Sequence, residues 1–204
     1  MISYDMTSRQ DLDDDRYINS SGKYILEIES VHKIVSSKGN HGIEIRAKEA
    51  GTNRKIGLKL WTHYKDGSII NRGYLVFSDL FVIANAEKIT FSMGIVKVYD
   101  YDLKQMVEKK LETVPFLKGK TFGVLIRREE YEKSDGSIGE SINVVKFFDA
   151  GDERTAKEIE GHMIEAKEVE RLLHKLQDKI LNVGNTQSKR TENLPKIDMY
   201  RKDK

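Results

Sequence analysis

Cysteine is absent from the 204-residue chain, which removes a disulfide framework, a thiolate zinc site and a cysteine nucleophile together. Such a chain suits a reducing compartment. Long apolar runs are also missing: no stretch reaches the length of a membrane-spanning segment. The first residues, MISYDMTSRQDLDDD, lack the basic and apolar regions of a secretory signal. The expectation is a cytoplasmic protein with no membrane partner. The five histidines, His32, His41, His63, His162 and His174, form neither HExxH nor HxH. Gly51, Gly57 and Gly67 do not open a helix, so no Walker or dinucleotide-type phosphate loop is present. No cofactor or metal is expected. Internal repeats and low-complexity tracts are lacking as well.

Charge of a single sign is lacking too, since the net charge is only +2. Its distribution says more. Residues 1–21 carry two basic and five acidic groups, and residues 22–150 carry 21 and 17. Residues 151–181 carry six and eight, and the last 23 carry six and three. The middle and the tail are therefore basic, flanked by acid, a bias too slight to identify a partner by itself.

What is present begins with residues 42–62, which read as a hairpin with two unlike faces. Strict alternation sets Ile43, Ile45 and Ala47 on one side of the first strand, and Ile56, Leu58 and Leu60 on one side of the second. That is a core face. The opposite side carries Glu44, Arg46 and Lys48, then Gly57, Lys59, Trp61 and His63. The turn Ala50-Gly51-Thr52-Asn53 supplies residues that tolerate positive φ.

Residues 1–21, with the run Asp13-Asp14-Asp15, read as a flexible acidic arm rather than a metal site. A first strand follows, with Tyr24, Leu26 and Ile28 on one face. Its phase blurs beyond Ser30, as a bulge would make it do. Ser36 to Asn40 is a turn into the hairpin, and Tyr64-Lys65-Asp66-Gly67 is a turn out of it. The spacing of Phe77, Leu80, Phe81 and Ala84 predicts a helix over 74–86, with Ser78-Asp79 available for capping. Leu103, Met106, Val107 and Leu111 predict a second helix over 102–112, ended by Pro115. Strands resume at Lys118, with Phe122, Val124 and Ile126 on one face. The turn Ser134-Asp135-Gly136-Ser137 leads to a return strand over 142–148, with Ile142, Val144 and Phe148 on one face and Asn143, Val145 and Phe147 on the other.

Three strands, a helical insert and two strands is the order of a five-stranded Greek-key oligonucleotide-binding barrel. The expected fold is thus mainly β: this barrel in residues 22–150, with its helical insert between the third and fourth strands, and a C-terminal α-helix in 151–183. A basic disordered tail fills 184–204. The helix carries Ile159, Ala166, Val169, Leu173, Leu176, Ile180 and Val183 in heptad-like spacing, with His162 on the seam. It either packs back onto the barrel or pairs with a second copy as a homodimer.

Binding of single strands needs cations for phosphates and flat rings for unpaired bases, at about 1–3 kcal/mol per stacked base. Arg46, Lys48, Lys59 and Trp61 meet both needs on one face, with His63, Tyr64 and Lys65 just beyond. Arg127, Arg128 and Tyr131 form a second group on the fourth strand. The competing reading is a solubilising cationic face with Trp61 tucked under a loop. Asp100-Tyr101-Asp102 offers two carboxylates to a metal-dependent nuclease, but no third acidic residue on a strand completes that site.

Ser21-Gly22-Lys23-Tyr24 opening a strand, the Ser37-Lys38-Gly39 turn, Gly42-Ile43-Glu44-Ile45 and Leu117-Lys118-Gly119-Lys120 carry a resemblance. Tyr131, Asp135-Gly136, Phe147-Phe148 and Thr155-Ala156-Lys157-Glu158-Ile159 extend it over roughly residues 21–160. In these features the chain resembles phage-encoded single-stranded-DNA-binding proteins of the oligonucleotide-binding fold. The resemblance implies a non-enzymatic protein that coats single strands in phage replication or recombination, in the host cytoplasm, with replication or recombination proteins as partners. The chain departs from the acidic C-terminal tail common in such proteins, because it ends Tyr200-Arg201-Lys202-Asp203-Lys204. An adaptor that binds only protein is the alternative from another class. RNA is an equally suitable strand at this level, because the contact to a 2′-hydroxyl is a matter of geometry.

Overall fold

The computed structural model describes residues 16–181, apart from Asn53, Glu87, Tyr101, Asp102 and the side chain of Asp100. The expectations for residues 1–15, for the Asp100-Tyr101-Asp102 carboxylates and for the tail lie outside the described residues. Seven antiparallel strands form one sheet: β1 (Gly22–Val35), β2 (His41–Glu49), β3 (Lys55–His63), β4 (Ser92–Asp100), β5 (Gln105–Thr113), β6 (Thr121–Glu132) and β7 (Ile138–Phe148). Among the described residues three helices accompany them: α1 (Asn71–Ile83), α2 (Ala156–Glu160) and α3 (Glu168–Leu173).

The strand β1 organises the sheet. One edge pairs with β2 from Leu26 to Val35. Its other edge pairs with β6 from Gly22 to Glu27 and then meets β5 at His32 and Thr113. A bulge at Glu29, between Ile28 and Ser30 in the register with β2, separates the two regions, and it accounts for the blurred alternation in the sequence. Beyond it, Val31 points into the core and His32 to the outer face.

The core lies between the inner faces of β1–β2–β3 and β6–β7, with α1 laid across one side. Ile43, Ile45, Ala47, Ile56, Leu58 and Leu60 are all buried, as the hairpin alternation predicts. Phe77, Leu80 and Phe81 are the buried residues of α1. That helix begins earlier than its apolar spacing suggests, so Ser78 lies inside it. Its hydroxyl donates back to the Tyr74 carbonyl at 2.9 Å instead of capping the start.

The structure corrects several expectations. The sheet is open: among the described residues no ladder joins β3 to β7, so it does not close into a five-stranded barrel. The segment expected as a helix over 102–112 is strand β5, paired with β4 from Ser92–Thr113 to Asp100–Gln105. The residues 103, 106, 107 and 111 fit a helical stripe, but a complementary strand upstream satisfies the backbone and overrides that local signal. Pro115 then opens a short 3-10 turn over Pro115–Leu117. On β7 a bulge at Val145, opposite Leu125 and Ile126, shifts the alternation by one residue. Phe147 thereby joins Val144 in the core, while Phe148 turns to the outer face.

The expected C-terminal helix in 151–183 is broken into α2 and α3. His162 follows α2 with φ 50°, a left-handed conformation that stops the helix instead of occupying its seam. Its start is well made, with Thr155 and Glu158 forming a reciprocal capping box. Val169 and Leu172 of α3 pack on Leu125 and Phe148, on the outer side of β6–β7. The packing against the sheet expected as one alternative is therefore present. Residues of the N-terminal arm also engage the sheet, since Lys55 donates to the Arg16 carbonyl at 2.8 Å and accepts from Ile18 at 3.1 Å. Ile18 is buried.

Candidate nucleic-acid interface

The outer face of β1–β2–β3 is built in cross-strand rows. Ile34, Gly42 and Trp61 form one row; Thr113, His32, Glu44 and Lys59 form the next; Ser30, Arg46 and Gly57 form a third. Directly opposed side chains on such a ladder stand within contact of one another. The first predicted group is thereby brought together on one surface.

Trp61 owes its placement to Gly42. A Cβ on Gly42 would lie 2.6 Å from the Leu60 carbonyl oxygen and 2.8 Å from Cε3 of the indole, so a larger residue would displace both the backbone of β3 and the ring. The ring is half-buried. At the strand end, Thr62 forms a bulge and is buried, and His63 stands edge-on to Tyr74 with ring centres 5.8 Å apart. Nδ1 of His63 lies 3.0 Å from the Thr62 hydroxyl. Tyr64 and Lys65 follow in the exposed turn.

The predicted cations differ in how far they are already engaged. Arg46 donates to the Lys97 carbonyl of β4 and lies 3.6 Å from Glu44, so the β4–β5 hairpin leans over this part of the face. Lys48 pairs with Glu27 at 3.2 Å. Lys59 has no ion-pair partner among the described residues and is exposed. Burial opposes ionisation of Glu44, but its contact with His32 and the charges of Arg46 and Lys59 outweigh this and hold its pKa below the ordinary glutamate range.

Arg127, Arg128 and Tyr131 lie apart from this group, on the β6–β7 ladder. Arg127 pairs with Glu129 at 2.6 Å. Arg128 faces three carboxylates: it bonds Glu140, and lies 3.3 Å from Glu130 and 3.5 Å from Asp178. The hydrogen bonds that it donates to the Glu140 carboxylate raise its pKa further above the ordinary arginine value. Beside it, the chain near Lys179 runs parallel to β6, the Glu130 amide donating to the Lys179 carbonyl at 2.9 Å. Arg128 thus ties the C-terminal segment to the sheet. Tyr131 is exposed and lies across Gly139, where a Cβ would come within 2.7 Å of its ring.

Where β3 and β7 do not pair, a cleft of about 210 Å³ opens beside α1. Lys59, Trp61, Arg72, Gly73, Asn143 and Val144 line it. Arg72 and Asn143 are not legible as site residues in the sequence, because β7 is remote in the chain and the angle at which α1 folds back on β3 is set only by the fold. No cluster of metal-ligating side chains occurs among the described residues. Nor is any of their helices long and apolar enough to cross a membrane.

No protein-family model matches the chain, and no curated protein matches it.

Proposed function

We propose that the protein binds single-stranded DNA without strong sequence preference and without catalysis, through the outer face of β2–β3. The observation that carries this reading is one surface that joins Lys59, an exposed cation with no salt bridge among the described residues, to the half-buried indole of Trp61, with Tyr64 and Lys65 beyond the strand end. Unpaired bases need such rings and phosphates need such cations. The strands β1–β2–β3 and β6–β7, with α1 between them in sequence, follow the order of an oligonucleotide-binding fold whose seam stays open. The β4–β5 hairpin is an insertion into that order. The resemblance of residues 21–160 to phage single-strand-binding proteins supports a role in phage replication or recombination.

Titration of labelled oligo-dT, against a duplex of equal length and at two salt concentrations, tests the reading. Tight binding to the single strand that weakens steeply with salt supports it, because phosphate contacts release counterions. Equal or absent binding to both at low salt overturns it.

One feature favours a second reading. Met93, Ile95, Tyr99 and Met106 are exposed on a single face of the β4–β5 hairpin, with Ile95 74% accessible. These exposed apolar side chains, interleaved with Lys97, Glu108, Lys110 and Glu112 on the same face, suit a protein partner. In that adaptor reading, binding is insensitive to salt and the oligonucleotide does not compete.

A further inference from the structure

We infer that the cleft between β3 and β7 takes one nucleotide out of the bound strand, its base against Trp61 and Asn143 and its phosphate between Lys59 and Arg72. The inference rests on the single-strand reading above and names a subsite within it.

Three observations converge there. First, the cleft exists because the sheet does not close: α1 rather than a strand ladder spans β3 and β7, and Gly73 lets the helix approach so closely that a Cβ there would lie 2.0 Å from the Trp61 carbonyl. Second, its lining holds two cations and no carboxylate. Elsewhere Arg46, Lys48, Arg127 and Arg128 are already engaged by protein groups, whereas neither Lys59 nor Arg72 has an ion-pair partner among the described residues. Lys59 feels the charge of Glu44 across the strands, but neither cation sits in a salt bridge, so meeting a phosphate breaks none. Third, the polar lining is suited to a base edge. Asn143 donates from Nδ2 to the Ser141 hydroxyl at 3.1 Å, which orients the amide and leaves its carbonyl oxygen to accept from a base N–H. Val144 and Leu60 provide an apolar floor beside the indole.

A base in the cleft and its phosphate at the rim place cation, ring and amide on one nucleotide. Sequence tolerance follows from the indole, which accepts any base. A mild base preference follows from Asn143.

The test compares the full chain with Arg72→Ala, Asn143→Leu and, as a remote control on α2, Lys157→Ala. Binding of labelled oligo-dT and oligo-dA is followed with Trp61 emission, and thermal melting verifies that each variant folds. If a variant melts early, Arg72→Gln or Asn143→Ser replaces it. Arg72→Ala is expected to weaken binding about tenfold at low salt and to reduce the salt slope by about 0.7, the share of one phosphate on a single strand. Asn143→Leu is expected to keep the slope, change the dT-to-dA affinity ratio and diminish Trp61 quenching; Lys157→Ala is expected to behave as the parent. Variants that match the parent in affinity, slope and quenching would overturn the cleft while leaving binding on the sheet face intact. A parent protein that shows no preference for single strands overturns the cleft and the reading beneath it together.

Discussion

Nε2 of His32 lies 3.0 Å from Oε2 of Glu44, and the fold excludes this histidine from solvent entirely. Neither ring nitrogen reaches hydrogen-bond geometry with a protein group among the described residues, so the two side chains are held by close approach. A buried pair of this kind is costly to break from one side only, because the remaining group is stranded. His32→Leu and Glu44→Gln should therefore be coupled by about 1–3 kcal/mol in a double-mutant cycle from urea unfolding at neutral pH. Additive single effects would show that the two groups do not interact. The folded-state pKa of Glu44 is lowered, so its contribution is present above the ordinary glutamate range and fades as pH falls through the folded value.

Trp61→Ala is expected to weaken oligo-dT binding by about 1–3 kcal/mol, the range for losing one stacked base. The half-buried indole stands on the outer face and is not part of the buried core, so cooperative unfolding should persist. Urea melts read by circular dichroism check this. Collapse of the fold would instead assign the ring a structural role beneath α1.

Glu158 makes the acid limb of stability predictable. Its burial opposes ionisation, but the backbone N–H groups of Thr155, Lys167 and Glu168 and the Thr155 hydroxyl donate to the carboxylate and bring its pKa down to about 2. The folded pKa lies below the unfolded one. The carboxylate therefore stabilises the fold fully above the ordinary glutamate value and loses that effect as pH falls toward the folded value. The size is on the order of 3 kcal/mol at neutral pH. Glu158→Gln should remove most of it and flatten the stability profile between about pH 5 and 2, measured by urea unfolding across pH.

Arg128→Ala should free the chain near Lys179 without weakening oligonucleotide binding, since its guanidinium is held by Glu140, Glu130 and Asp178. Hydrogen exchange at the Glu130 and Lys179 amides, which donate to the Lys179 and Arg128 carbonyls, reports the release. Lys59→Ala should do the opposite, lowering affinity with exchange at those amides unchanged. A loss of affinity in Arg128→Ala equal to that in Lys59→Ala would return Arg128 to the binding surface.

The expectations that survive are those in which neighbours in sequence are neighbours in space. Alternation from Ile43 to Ala47 and from Ile56 to Leu60 assigned the inner and outer faces correctly, because a strand's period of two admits no other arrangement while one face is buried. Gly51 and Gly136 adopt positive φ, 80° and 82°, in the turns where sequence placed them. Local patterns misled where a distant segment supplied the partner. Met106 and Leu111 look helical until Tyr99 and Gly94 are paired opposite them.

By itself the sequence determined a mainly β chain, the two faces of its β2–β3 hairpin, the tryptophan on the polar side and a helix start near Thr155. Each depends on residue type and spacing over a few positions. Only the tertiary structure decided that the sheet remains open, that the bulge at Val145 sends Phe147 inward and Phe148 outward, and that Arg128 is consumed by acidic neighbours. It alone brought Arg72 and Asn143 beside Lys59 and Trp61. Register, closure and charge pairing depend on contacts between separate elements of the chain, and no periodicity within one segment records which partner it will meet.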